Sequence, residues 1–280
     1  MKISGCTIAR NVERFQYPVL ESIRSILPIC DEFIVNIGDS EDNTEAIIRS
    51  LREPKIKIIR STWDMRMGKE VLSHQTNLAL RACGGDWAFY LQSDEVIHEA
   101  DLPRLRRLME QHKDRPVDVL RFKWLHFYGS YYRYRIDAGW YQKQDRIVRL
   151  NGEVESFGDA FGFRRTDGRP LRRVSTGCLL YHYGWVQNPE VMARRRRNAA
   201  AIGYAAESAP ENNPAYEFGN LRRFPVYFGR HPAVMRERVE SHALTRQDYS
   251  TVRRQYWYHP GFWLGWRYKT GRRVKQSIVP

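Results

Sequence analysis

Short apolar runs alternate with segments of helical periodicity over the first hundred residues, the pattern of a parallel sheet assembled from β-α-β units. Residues 3–9 read as a first strand. Leu20, Ile23 and Leu27 then repeat at the spacing of one helix face, and 32–37 form a second apolar run that ends in the turn-rich stretch 38–43. Thr44, Ile47, Ile48 and Leu51 supply the inner face of a second helix, with Asp42 or Asn43 as its N-cap. Residues 55–60 give a short third strand, and Val71, Leu72, Gln75, Leu78 and Ala82 face inward on a helix closed by Gly84 and Gly85. The run 87–91 is apolar throughout, as a strand buried on both faces must be. It delivers Gln92, Ser93, Asp94 and Glu95 at its carboxyl end, ahead of a helix around Leu102, Leu105 and Met109. Open α/β sheets bind ligands at the carboxyl ends of their strands, so these polar residues stand where chemistry is expected. Helix capping is the competing explanation for Asp94 and Glu95.

Beyond residue 110 the character changes. Residues 117–124 alternate as a strand, 126–141 are crowded with tyrosines, 146–150 form another strand, and 178–183 a last one that carries His182. Arg194, Arg195, Arg196 and Arg197 follow in an Ala-rich helix. Consecutive helical residues lie about 100° apart, so the four cannot share one face; a charged outer face is the simplest reading, with one or two left to meet phosphate.

Composition narrows the class. A chain of 280 residues with 42% hydrophobic and 13% aromatic residues is too apolar to be disordered and long enough to bury a core. Cys6, Cys30, Cys83 and Cys178 stand singly, without the spacing of a zinc ribbon or a redox pair; they read as buried thiols of a reducing compartment. No apolar run of about 18 residues occurs, and polar residues interrupt the amino terminus where a signal core would lie, so a cytoplasmic protein is expected. Of the net charge of +14, ten units arise after residue 185, where 17 Arg and Lys stand against 7 Asp and Glu. Seven aromatics between 256 and 268 are bracketed by basic residues. Such a tail suits a polyanionic partner or an anionic membrane face, or it packs its rings on the main domain.

Four stretches taken in order carry a resemblance: Asn11-Val12-Glu13 after the first strand, 39–44 after the second, Gly85-Asp86-Trp87, and Leu91-Gln92-Ser93-Asp94-Glu95. Together they resemble family 2 glycosyltransferases with the GT-A fold, over roughly residues 1–160. The resemblance implies an α/β protein with a Rossmann-like, mostly parallel central sheet flanked by helices, here with a basic, aromatic C-terminal extension. It implies a catalytic domain over 1–185, with 1–98 as the nucleotide-binding half and 99–185 as the acceptor-side half, and a helical extension over 186–280.

The activity implied is transfer of a sugar from a nucleotide-diphosphate sugar to an acceptor glycan or lipid-linked glycan at the inner face of a membrane, with inversion. Negative charge develops on the leaving diphosphate while the sugar becomes oxocarbenium-like, and a divalent ion, Mn2+ or Mg2+, neutralises it. Asp94 matches the last Asp of the family's Asp-x-Asp motif and is the first expected metal ligand. Gln92 replaces the first Asp. His182 is the second expected ligand, against the alternative of a core histidine with one hydrogen bond. Thr7, Ala9, Asn11, Asn36, Asp39, Asp42, Asn77 and Gln92 would line the nucleotide pocket, although turn chemistry explains Asp39 and Asp42 equally well. Asp159 is the expected base, with Glu153 and Glu155 as rivals. Nucleotidyl transfer would ask for a Gly-rich loop after the first strand, and 9–13 contains no glycine. Nucleic-acid binding would leave Asp94 unexplained, and no nucleic-acid partner is expected.

Overall fold

The computed structural model describes residues 1–137, 139–204, 214–243, 245 and 248. Strand β1 (Ile3–Ala9) is buried at every position, as are the four residues of β4 (Trp87–Tyr90), because helices cover both faces of the sheet here. On one face α1 (Val19–Ile26) and α4 (Leu102–Gln111) bring Ile23, Ile26, Leu105 and Met109 against Phe33, Phe89 and Phe122. On the other, α3 (Glu70–Arg81) lays Ala79 and Leu80 on Cys6, Ile34 and Tyr90. Between them run β2 (Glu32–Ile37), α2 (Thr44–Arg49) and β3 (Ile56–Arg60). Strands β1 to β4 are mutually parallel in the order β3-β2-β1-β4.

The second half of the sheet is mixed. Its strands are β5 (Glu95–Ile97), β6 (Val119–Tyr128), β7 (Ser130–Arg135), β8 (Lys143–Arg149) and β11 (Arg173–Trp185). The order continues from β4 through β8, β6 and β11 to β5, with β7 on the side of β6. Glu95 therefore opens a strand antiparallel to β11, pairing with His182, and does not cap a helix. A separate hairpin, β9 (Val154–Phe157) and β10 (Gly162–Arg165), holds Asp159 in its turn.

Past the sheet, α5 (Pro189–Ala201) begins with Pro at the position where a missing N–H costs nothing, and α6 spans Arg236–Ser241. The described part of the stretch expected as an extension packs back on the sheet. The Tyr181 and Tyr227 hydroxyls meet at 3.0 Å, the Tyr183 hydroxyl donates to His231 Nδ1 at 2.8 Å, and Arg133 and Asp248 form a buried bidentate pair at 2.9 Å. The aromatic cluster at 256–268 lies outside the described residues. All four cysteines are free thiols, three of them buried. Among the described residues no helix is long and apolar enough to cross a membrane.

Candidate active site

The parallel strands end beside a cleft of about 530 Å3. Gln92, Ser93 and Asp94 enter it from the turn after β4, His126 from β6, His182 and Gly184 from β11, Asp159 from the β9–β10 turn, and Arg195 and Arg196 from α5. The turn after β4 is held from below: Glu95 forms a two-pronged ion pair with Arg146 at 2.7 and 2.8 Å, both side chains fully buried, and also accepts the Gln92 N–H at 3.0 Å. That anchor fixes the direction in which Asp94 points.

Asp94 Oδ2 lies 3.6 Å from His182 Nε2. Burial raises the Asp94 carboxyl, and charge on His182 when that ring is protonated, together with the Arg195 guanidinium, outweighs it and holds the group below its ordinary value. His182 Nδ1 sits 3.0 Å from His126 Nδ1, and His126 Nε2 donates to the Tyr141 carbonyl at 2.7 Å. Gly184 completes this corner. A Cβ there would stand 2.6 Å from Asp94 Oδ2 and 2.7 Å from His182 Nε2, so only glycine leaves space between the two donor atoms. An oxygen and an imidazole nitrogen converging on one point is a donor set that suits Mn2+ or Mg2+ with further ligands from a substrate. Two side chains alone make an open site; no group of three or more His, Cys, Asp or Glu placed to hold a metal occurs among the described residues.

Asp159 receives a hydrogen bond from the Tyr204 hydroxyl at 2.8 Å through Oδ2, while its Oδ1 is buried with no partner among the described residues. Trp63 Nε1 and Trp124 Nε1, both on residues lining the cleft, share that condition. Buried polar atoms in native proteins are nearly always paired, and three unpaired ones around one cleft point to a ligand with both donors and acceptors. The wall on the side of β6 and β11 is aromatic: Tyr141 stacks on Phe161 at 5.4 Å and Trp140 packs edge-on against Trp185 at 5.4 Å.

The structure brings together Gln92, Asp94, Asp159 and His182, and leaves Asp39 at the rim, where it accepts the Trp63 N–H and pairs with Arg10 at 3.4 Å. It does not bring the other expected pocket residues to the cleft. Thr7 and Ala9 point into the sheet, because alternation along β1 turns Ile8 and then Arg10 toward the cleft instead. Asn11, in a left-handed conformation with φ of 52°, pins the 39–44 loop by accepting the Glu41 N–H. Asn36 is buried in a network with Gln75 and Ser61. Asp42, one residue ahead of the N-cap Asn43, accepts the Thr44 and Arg14 N–H groups. Asn77 grips the backbone of Ser156, tying α3 to β9. Glu155 pairs with the exposed Arg164 and Glu153 with the buried Arg165. The simple reading of the arginine run fails at Arg195, which is buried, stacks on Tyr17 at 4.2 Å and donates to the carbonyls of Phe15, Gln16 and Gly184. Sequence reasoning also passed over Trp124 and His126, for which alternation along β6 was the available signal, and Trp63, which lies in the loop after β3.

A parallel sheet ending in a carboxylate turn, continued by a mixed half that adds a histidine and an aromatic wall, defines a GT-A-type transferase architecture. The chain matches Glycosyl transferase family 2 over residues 4–169, more than half its length, and belongs to that family; it is a glycosyltransferase. Among solved structures it is similar to S. aureus TarS, with 18% identity and a TM-score of 0.43 over 74% of this chain and 41% of that one. It is also similar to the TarS 1-349 structures in complex with UDP, at 19% identity and TM-score 0.43, and with UDP-GlcNAc, at 17% and 0.44, covering 74% of this chain and 68% and 69% of those. Comparison with curated proteins finds no match.

Proposed function

We propose that this glycosyltransferase uses a nucleotide-diphosphate sugar, holds a divalent cation between Asp94 and His182, and transfers the sugar with inversion to a glycan or lipid-linked glycan of cell-surface polysaccharide synthesis. The observation that carries the cation is the convergence of Asp94 Oδ2 and His182 Nε2 at 3.6 Å beside a glycine that no larger residue can replace without filling the gap. When bound, the cation would neutralise charge on the departing diphosphate. Asp159, which lines the cleft and whose buried Oδ1 has no partner among the described residues, takes the proton of the acceptor hydroxyl as the new C–O bond forms and the bond to the diphosphate oxygen breaks. The Tyr204 hydroxyl keeps the other carboxylate oxygen engaged. Arg10 and Arg195 add positive potential on the donor side, and the aromatic wall offers flat faces to acceptor sugar rings. The basic carboxyl-terminal stretch supports peripheral contact with the anionic inner face of the cytoplasmic membrane.

The test is release of nucleoside diphosphate from a panel of nucleotide sugars with Mn2+. Asp94→Asn and Gly184→Ala are each expected to lower the metal-dependent rate by at least about 10-fold while unfolding at the wild-type midpoint. Wild-type rates in both variants would refute the cation site.

A further inference from the structure

Two ring nitrogens 3.0 Å apart, His126 Nδ1 and His182 Nδ1, need one hydrogen between them. The far side of His126 decides whose it is. His126 Nε2 stands 2.7 Å from the Tyr141 carbonyl oxygen, which only accepts, so Nε2 carries a hydrogen. The His126 ring is buried and hydrogen-bonds to an imidazole and a carbonyl, with no carboxylate among its described partners to balance a charge, so it is the neutral ring, which has just that one hydrogen. The shared hydrogen therefore belongs to His182 Nδ1, and a neutral His182 is left with a bare Nε2. That atom faces Asp94 Oδ2 at 3.6 Å, beyond the range of a direct hydrogen bond. Free histidine side chains favour the opposite tautomer, with hydrogen on Nε2, in which the face toward Asp94 would donate and not ligate.

We propose that His126 is a positioning residue that locks His182 in its Nδ1–H tautomer, so that Nε2 presents a lone pair toward Asp94. The proposal rests on the reading of Asp94 and His182 as cation ligands and extends it to the residue that makes the histidine a ligand. Both rings are nearly buried, His126 at 3% and His182 at 8% exposure, and they are wedged by Trp124, whose centroid lies 4.2 Å from His126 and 4.9 Å from His182. The orientation is thus built in before any ligand arrives. The relay ends on the backbone of Tyr141, in the loop that also carries Trp140, so the geometry of the aromatic wall and that of the cation corner are mechanically joined. Outer-shell partners of ligating histidines commonly govern metal affinity in this way.

The experiment begins with the metal-free protein at neutral pH, in which long-range proton–nitrogen NMR of 15N-histidine reports each ring nitrogen directly. The expected result is hydrogen on Nδ1 of His182 and on Nε2 of His126. In His126→Phe, His182 should revert to Nε2–H, and the dissociation constant for Mn2+, read by electron paramagnetic resonance with UDP present, should rise roughly 10- to 100-fold. His126→Asn, whose side-chain oxygen accepts from His182 Nδ1, should recover most of the affinity. An Nε2–H or doubly protonated His182 in the wild type overturns the proposal, as does unchanged Mn2+ affinity in His126→Phe. If the tautomers are as expected and the wild type binds no Mn2+, the relay is upheld and the cation reading in the proposed function is the part that fails.

Discussion

At Glu95 the chain takes a full negative charge out of water, and the cost is met by one partner, Arg146, that is itself fully buried. Breaking such a pair from one side leaves the other charge uncompensated and typically costs about 3–5 kcal/mol. Glu95→Gln is therefore expected to lower the free energy of unfolding in urea by about that amount, whereas Glu95→Gln combined with Arg146→Met, which buries no charge, should lose clearly less. Equal losses in the single and double variants would contradict the assignment of the cost to an orphaned guanidinium. Because Glu95 also holds the Gln92 N–H, the single variant should additionally loosen the turn that aims Asp94. Asp94 and Gln92 were legible in the sequence since they follow a fully apolar strand. Asn36 and Asn77 were not, because an amide that grips backbone and one that grips a ribose have the same signature until the chain is folded. The relay through His126 was hidden for a similar reason: its partner is 56 residues away.

Helix α5 shows how an element can read correctly in outline and wrongly in face. Its start at Asn188 and Pro189 follows from residue type, but four consecutive arginines give no periodicity from which to choose the buried one. The fold chooses Arg195, because its guanidinium meets three carbonyls of the 15–16 turn and β11. Hydrogen bonds to a charged group contribute about 1.5–3 kcal/mol. Arg195→Met should accordingly lower stability by roughly 2 kcal/mol or more, seen as a reduced thermal midpoint. Arg194→Met, at a half-buried position of the same run, serves as the comparison, and a midpoint equally reduced in both would show that Arg195 holds no special place. Strand β5 and the β9–β10 hairpin escaped the sequence reading for a different cause. Three- and four-residue strands are too short for alternation to register, and their existence depends on partners supplied by β11 and by each other.

Across the whole molecule the parallel half was readable, whereas in the mixed half the strands β6, β8 and β11 were readable but their order was not. Strands joined by helices pair with their neighbours in a predictable order, whereas the order β4-β8-β6-β11-β5 inserts three later strands between two that are nearly adjacent in sequence. That insertion is what carries His126 and His182 to the turn bearing Asp94, so the donor and acceptor sides meet only in the complete sheet. A ligand that binds there stabilises the molecule as a unit by mass action. The measurement that tests the account most directly is the thermal unfolding midpoint against a panel of nucleoside diphosphates, each with and without Mn2+. The expected result is a rise with one nucleotide that requires Mn2+, about 2.7 kcal/mol of added stability at a hundredfold excess over the dissociation constant, and its loss in Gly184→Ala. A panel in which no nucleotide shifts the midpoint, or one in which the shift is the same without metal and in Gly184→Ala, would contradict it.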